Sequence, residues 1–400
     1  MILTEQHIIR KSNIFWKKID NLCFLSKNLY NSCLYKIKKH FNETTKILRY
    51  NELYKKMYNE KQQDFFNLPA ATSQQIIQLA DKNIKSYFSL IRLWKRDRTK
   101  LQGCPKFPKY KDKLKGRNVV LFTNQQLRFK NGFIQFPKNI NIKIKTNINK
   151  NSKIKQARFI PKSSCYIIEI IYEIEDKEKK KKGNKASIDL GLNNLVALTI
   201  SNGSSILING NKIKSINQYY NKIKSKKQNE LNRKNNCRNS NKLKKLAFNR
   251  NNKVKDYLHK SSRFIVNYLV KNDVNELIIG YNKQWKQNIN MGKINNQAFT
   301  NIPFDIFINM IKYKCKKEGI EVKTHEESYT SKCSSLDLEK IDKHKIYLGN
   351  RIKRGLYKSA LGILLNADIN ASFNIGRKEF GDAFMPANRG LALNPIKINF

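Results

Sequence analysis

Acids are scarce in this chain of 400 residues, where 30 Asp and Glu face 80 Lys and Arg. An acid inside an apolar strand therefore stands out. Asp189 is one, in the run Ala186-Ser187-Ile188-Asp189-Leu190 followed by Gly191-Leu192. An ionised carboxylate taken out of water is costly unless it is paired or bound to a cation. Asp368 is a second candidate: Asn366 can cap a helix, which sets Asp368 in the first turn, where the helix dipole favours an anion. Capping alone would also explain an acid there. Taken together, the two point to phosphodiester chemistry, in which carboxylates converge on divalent metals about 3.5–4 Å apart that activate water and stabilise the leaving oxygen. Oxygen-only ligands suit Mg2+ or Mn2+ rather than zinc.

The overall charge names the partner class. A formal surplus of +50 would repel itself in a compact fold without polyanions nearby, and nucleic acid rewards each neutralised phosphate with counterion release. The excess is spread through Lys179–Lys182, Lys222–Lys227, Arg238–Arg250 and Arg351–Lys358. With 40% hydrophobic and 10% aromatic residues, wholesale disorder is excluded. No apolar run approaches the roughly 20 residues of a membrane span, and residues 1–10 lack a signal-peptide core, so a cytoplasmic protein is expected, nucleoid-associated in a prokaryote. Seven cysteines without a C-x-x-C pair fit a reducing compartment and disfavour a four-cysteine zinc ribbon. Of the five histidines, only His344, with Asp337 and Asp342, suggests an oddly spaced metal site.

The elements that must position these acids follow from periodicity. Phe15, Ile19, Leu22, Leu25, Leu29 and Leu34 recur at helical spacing, as do Ile76, Leu79, Ile84, Phe88 and Ile91 after a turn at Leu68-Pro69. Beyond Pro105 and Pro108, alternation from Val119 to Ile174 reads as strands, with an Asn131-Gly132 turn before Phe133. Residues 1–15 can supply the first strand of the same small β-barrel, which makes residues 16–100 a helical insertion and 101–180 the barrel's remainder. From residue 184 to 380 the order is a three-strand meander, a basic helical stretch over 216–270, a strand at Glu276–Ile279, a helix at Phe304–Lys317, a strand at Ile320–Lys323 and a helix at Ala367–Arg377. That β-β-β-α-β-α-β-α order is the one expected of an RNase H-like domain, leaving 381–400 as a tail. The fold class is thus mixed α/β with more than one domain.

These segments resemble the TnpB family of transposon-encoded RNA-guided nucleases, often called OrfB transposases. The resemblance rests on Ile188-Asp189-Leu190-Gly191-Leu192-Asn193-Asn194 as the first RuvC-like motif. It continues in Asp256-Tyr257-Leu258-His259-Lys260-Ser261-Ser262, in Tyr329-Thr330-Ser331-Lys332-Cys333 and in Asn366-Ala367-Asp368-Ile369-Asn370-Ala371-Ser372-Phe373-Asn374-Ile375. Gly103-Cys104-Pro105-Lys106-Phe107-Pro108-Lys109-Tyr110-Lys111 is similar to the family's pre-barrel segment. The resemblance implies a guide RNA from the transposon end, double-stranded target DNA, Mg2+ or Mn2+, and hydrolysis leaving a 5′ phosphate and a 3′ hydroxyl. Delegating sequence readout to base pairing also suits a protein with large non-specific charge. A monomer is favoured, and no membrane is involved.

Two departures bear on the chemistry. The family's second motif is a strand ending in an essential Glu, but here Leu277-Ile278-Ile279-Gly280-Tyr281-Asn282 puts Gly280 in its place. The zinc-ribbon cysteines are absent apart from Cys333, so no zinc is expected and 333–364 is read as a shorter loop or strand pair. A relocated acid answers the first departure. The strand from Ile320 ends in Glu326-Glu327, and carboxyl ends of neighbouring parallel strands open onto one crevice. Strand alternation favours Glu327, with Glu326 as the alternative. Glu327 also stands at the family's position three before Thr330, so the chain resembles the TnpB subset with a relocated catalytic Glu and no zinc ribbon. Asp189, Glu327 and Asp368 are then the catalytic and metal-binding set, and their carboxyl oxygens should lie within about 4–6 Å of one another to share metals. Lys260, Trp285, Lys286, Arg351, Lys353, Arg354 and Lys358 are candidate nucleic-acid contacts. The missing Glu also leaves open a nuclease-inactive RNA-guided DNA binder. A transposase acting directly on transposon ends and a plain RNA-binding protein are the other readings.

Overall fold

A computed structural model describes residues 1–235, 237, 239–282, 292–387, 390 and 393–400. The chain divides into two compact units, Met1–Glu175 and Asp176–Phe400.

In the first unit, β1 (Ile2–Ile9) is followed by four helices: α1 (Trp16–Thr44), α2 (Tyr50–Asn59), α3 (Gln63–Phe66) and α4 (Ala70–Arg96). Strands β2 (Val120–Thr123), β3 (Arg128–Lys130), β4 (Phe133–Gln135), β5 (Lys143–Lys145), β6 (Lys153–Pro161) and β7 (Tyr166–Glu173) complete it. Strand β1 pairs antiparallel with β7 along its length, from Ile2 opposite Glu173 to Ile9 opposite Tyr166, so the helices interrupt a sheet ordered β1-β7-β6-β2. The second sheet, β3-β4-β5, begins in the anticipated hairpin. Asn131 (φ 50°) and Gly132 (φ 74°) supply the paired positive φ values of a two-residue turn whose twist matches its strands. Among the described strands the two sheets do not join edge to edge. Instead Phe122, Ile134, Phe159 and Ile168 bury into one core shared by two separate sheets, so the closed barrel expected from the sequence is not what the described strands form. The apolar stripes of α1 and α4 meet in a separate core around Leu29, Leu34, Ile76 and Ile84.

The second unit carries the candidate acids. Its meander is β8 (Asn184–Leu190), β9 (Asn194–Ile200) and β10 (Ser205–Asn209). The basic stretch read as one segment over 216–270 is two helices, α5 (Asn211–Asn235) and α6 (Asn241–Lys271). Ser240 starts the second of these by accepting the Leu243 amide at 3.2 Å, an N-cap that interrupts the helical run. Next come β11 (Val274–Gly280), α7 (Lys293–Thr300), α8 (Phe304–Lys317), β12 (Glu321–His325), β13 (Asn350–Lys353), β14 (Leu356–Lys358), β15 (Leu364–Asn366), α9 (Ala367–Phe380) and β16 (Ile396–Ile398).

The main sheet runs β12-β11-β8-β9-β10-β16. Strand β11 lies parallel to both β8 and β12, whereas β9 is antiparallel to β8. The carboxyl ends of β8, β11 and β12 therefore open along one edge. Residues 381–400 are more than a tail: Ile396–Ile398 adds a parallel edge strand to β10, and the Phe400 ring packs against Tyr257 and Phe264. Ile398 and Phe400 pack against the core of this unit while Ile396 stays exposed, a docking that local sequence could not reveal.

Helix α9 is set against the sheet by buried hydroxyls. Ser187 Oγ donates to the Ser372 carbonyl at 2.6 Å, Ser372 Oγ returns a bond to the Ser187 carbonyl at 3.1 Å, and both hydroxyls lie within reach of Thr199 Oγ1. Buried polar groups hold position strongly because losing a partner costs about 1–3 kcal/mol. That pin fixes Asp368, one turn before Ser372, against Asp189, two residues after Ser187.

Candidate active site

A cavity of about 570 Å3 opens where those strands end, and Asp189, Glu327 and Asp368 all line it, with Asn194, Asn282, Arg351 and Arg354. Asp189 is the penultimate residue of β8. Burial lifts its carboxyl well above the usual carboxylate range, and the charges of Glu327 and Asp368 push it the same way, against the Arg351 guanidinium. Glu327 is raised to about 7, chiefly by burial and then by Glu326, with Lys378 opposing. Two acids that resist ionisation together in one cavity are an arrangement common at reactive sites.

Asp368 is held differently. The Asn366 side chain accepts the amides of Asp368 (2.9 Å) and Ile369 (3.3 Å), so the expected cap starts α9. Asn194 Nδ2 donates to Asp368 Oδ2 at 2.7 Å, and an Arg351 guanidinium nitrogen stands 3.5 Å from Oδ1. Among the described residues, no three His, Cys, Asp or Glu side chains gather into a group that could hold a metal ion. The expected convergence of all three acids on one point is therefore not met as the side chains stand. Asn194 and Arg351 hold Asp368 where it stands. The donor set nonetheless suits a hard divalent cation: three carboxylates share the cavity, and Glu327 Oε2 is buried without a hydrogen-bond partner.

Gly280 bears on the relocated acid. In the parallel register it follows Ile279, which faces Ile188, so it lies level with Asp189. A Cβ built on Gly280 would stand 2.8 Å from Glu327 Oε2 and 2.6 Å from Ile375 Cδ1. The Glu327 carboxylate thus occupies the space beside position 280. Strand β12 ends at His325, not at Glu327 as the sequence suggested, so strand alternation does not choose between the two glutamates. Asn282 does: its Oδ1 accepts the Glu327 amide at 3.1 Å and its Nδ2 donates to Glu327 Oε1 at 3.2 Å. Glu326 points elsewhere, pairing with Lys378 at 3.3 Å and accepting a hydrogen bond from Ser328.

Among the candidate nucleic-acid contacts, Arg351 and Arg354 line the cavity, while Lys353 and Lys358 are exposed on the β13–β14 hairpin. Lys260 is exposed on α6 and pairs with Asp256 at 2.8 Å. Trp285 and Lys286, with Lys283 and Arg238, lie outside the described residues. The oddly spaced metal site does not assemble. Asp337 accepts from Ser334 Oγ (2.5 Å) and the Ala360 amide (2.7 Å), and His344 Nε2 meets the Lys340 carbonyl at 2.7 Å. Each is satisfied locally, which removes any reason to share an ion.

The loop after Thr330 is organised by asparagines that the sequence reading passed over. Asn374 Nδ2 donates to the carbonyls of Thr330 (2.9 Å) and Cys333 (2.7 Å), and Asn370 donates to Cys333 (2.8 Å) while accepting the Ser335 amide (2.9 Å). Glu339 accepts the amides of Ser334 (2.6 Å) and Leu348 (2.9 Å). Asn370, Asn374 and Arg377 recur every three or four residues on α9. That spacing of polar side chains in an otherwise buried helix was a readable signal.

Comparison with known proteins bears on these segments. Residues 169–286 match the OrfB_IS605 probable-transposase family, and residues 304–375 match the Cas12f1-like TNB domain. The TnpB-family resemblance is borne out. Solved structures similar to this chain include a Cas12f1–sgRNA–target DNA complex (17% identity, 94% of this chain and 100% of that one, TM-score 0.38). A CRISPR-Cas12f ternary complex matches at 14% identity over 90% and 82%, TM-score 0.36. The mini-RNA-guided endonuclease CRISPR-Cas_phi3 matches at 11% identity over 96% and 92%, TM-score 0.42. No curated protein matches the chain. The TNB match ends at Ile375, so it contains both Glu327 and Asp368, and the OrfB_IS605 match contains Asp189 and Gly280.

Proposed function

We propose that this protein is a transposon-associated RNA-guided DNA endonuclease whose RNase H-like unit hydrolyses phosphodiesters with divalent metal. The observation that carries the reading is the gathering of Asp189, Glu327 and Asp368 on one cavity at the carboxyl edge of parallel strands, inside segments that match the two families. Such edges are where α/β sheets bind ligands.

Asp189, Glu327 and Asp368 would hold Mg2+ or Mn2+, which supplies water activation and stabilisation of the leaving oxygen when bound. The remaining roles belong to the chain. Asn194 holds the Asp368 carboxylate by one oxygen. Arg351 and Arg354 set guanidinium forks at the cavity's rim, where they suit a phosphate bidentately. The hydroxyl pin between Ser187 and Ser372 keeps the two aspartates in register. The surplus of +50 supports nucleic acid as the partner, and the resemblance to TnpB proteins implies that it is a guide RNA derived from the transposon end with double-stranded target DNA.

The test is to copurify the protein with RNA transcribed from its flanking DNA, then incubate it with matched duplex DNA with and without Mg2+. Wild type should cut only with Mg2+ and the matching guide, and Asp189→Ala should bind without cutting. Cleavage by Asp189→Ala would reject the site. The OrfB_IS605 description as a probable transposase favours one second reading, direct action on transposon ends, which strand transfer without any RNA would establish.

A further inference from the structure

The side chains around Glu327 show how a glutamate beyond the end of β12 can be brought to a site two strands away. Glu327 sits two residues past His325, the last residue of β12, where backbone pairing no longer fixes its direction. Its carboxylate nevertheless lies over the Cα of Gly280 on the neighbouring strand, with Oε2 2.8 Å from where a Cβ would be. A single residue makes two hydrogen bonds to it, because Asn282 receives the Glu327 amide and donates to Oε1. Only a side chain with both a donor and an acceptor can make that two-point contact. Oε1 is thereby engaged, and Oε2 is left buried and unpartnered.

We propose that Asn282 is a positioning residue for Glu327, latching its carboxylate over the side-chain-free Cα of Gly280 so that Oε2 is presented to a divalent cation. Gly280 on this account is a required opening rather than a decayed position. A side chain at 280 and the Glu327 carboxylate exclude each other, so restoring an acid at 280 displaces the one that already works. The proposal rests on the reading of Glu327 as part of the metal site.

The experiment measures Mn2+ affinity of the full-length protein by electron paramagnetic resonance, alongside single-turnover cleavage and target-DNA affinity of the guide-loaded protein. Asn282→Ala should weaken Mn2+ binding about tenfold and slow cleavage at least as much, with DNA affinity and melting temperature near wild type. Asn282→Asp keeps the acceptor for the Glu327 amide but sets a carboxylate against a carboxylate, so it should fail like the alanine variant, whereas a role confined to backbone structure predicts rescue. Gly280→Ala should weaken Mn2+ binding similarly. Because its Cβ would also meet Ile375 Cδ1 at 2.6 Å, Gly280→Ala combined with Ile375→Val removes that methyl. The defect should persist in the pair, and recovery there would assign it to packing against Ile375 and overturn the seat. Glu327→Gln separates the two levels of inference. If it binds Mn2+ and cuts like wild type, the metal-site reading itself falls. If it loses both while Asn282→Ala keeps both, the latch alone is refuted.

Discussion

Glu327→Gln should stabilise the protein while disabling it, and the size of the effect follows from the cavity. Burial and the Glu326 charge raise the Glu327 carboxyl from its ordinary 4.5 to about 7. At about 1.36 kcal/mol for each tenfold change in proton affinity, that rise amounts to about 3 kcal/mol. A carboxyl whose folded pKa is raised binds its proton more tightly in the folded state. Its contribution to stability is full below about pH 4.5 and is lost as pH rises through about 7. Glutamine does not titrate, keeps the carbonyl that accepts from Asn282, and suffers no such loss. In metal-free buffer at pH 8, Glu327→Gln should therefore melt up to about 6–12 °C above wild type, given about 2–4 °C per kcal/mol for a unit of this size. The gap should shrink to near zero by pH 4.5. Mg2+ should raise the melting temperature of wild type at pH 8 and leave the variant unmoved, since a ligand stabilises only the state that binds it. Calorimetry across pH 4.5–8 reads all of this. A variant that melts below wild type at pH 8, or a gap independent of pH, would refute the argument from burial.

Other outcomes follow from the same geometry. Asn374→Ala leaves the Thr330 carbonyl without its side-chain donor and the Cys333 carbonyl with Asn370 alone; at about 1–3 kcal/mol for the orphaned group it should expose the 330–349 loop to limited proteolysis before global melting. A zinc-selective chelator should leave wild-type proteolysis of that loop unchanged, because protein groups satisfy its backbone. Arg351→Ala should weaken nucleic-acid binding across sequences and lower the salt slope by about one, read by titration at several salt concentrations. Ser372→Val removes the hydroxyl pin to Ser187, and should lower both melting temperature and cleavage by shifting Asp368 relative to Asp189.

Much of the second unit was legible in the sequence because its signals are local. The helix at Phe304–Lys317 and the Asn366 cap that places Asp368 depend on neighbours within one or two turns. The run around Asp189 reads as a strand for the same reason: Ala186, Ile188 and Leu190 alternate with Ser187 and Asp189 at the two-residue strand period. Where two segments had to meet, the sequence offered alternatives only. Glu326 and Glu327 are chemically identical neighbours, and strand alternation cannot rank them once β12 has ended. The choice was made by Asn282, two residues past the end of β11 and 45 positions before Glu327, and by the room above Gly280. The docking of Ile396–Ile398 beside β10 likewise depends on an edge built 190 residues earlier. Residue type and spacing set which groups could act, whereas which of them share one cavity is a property of packing that forms only when distant strands align.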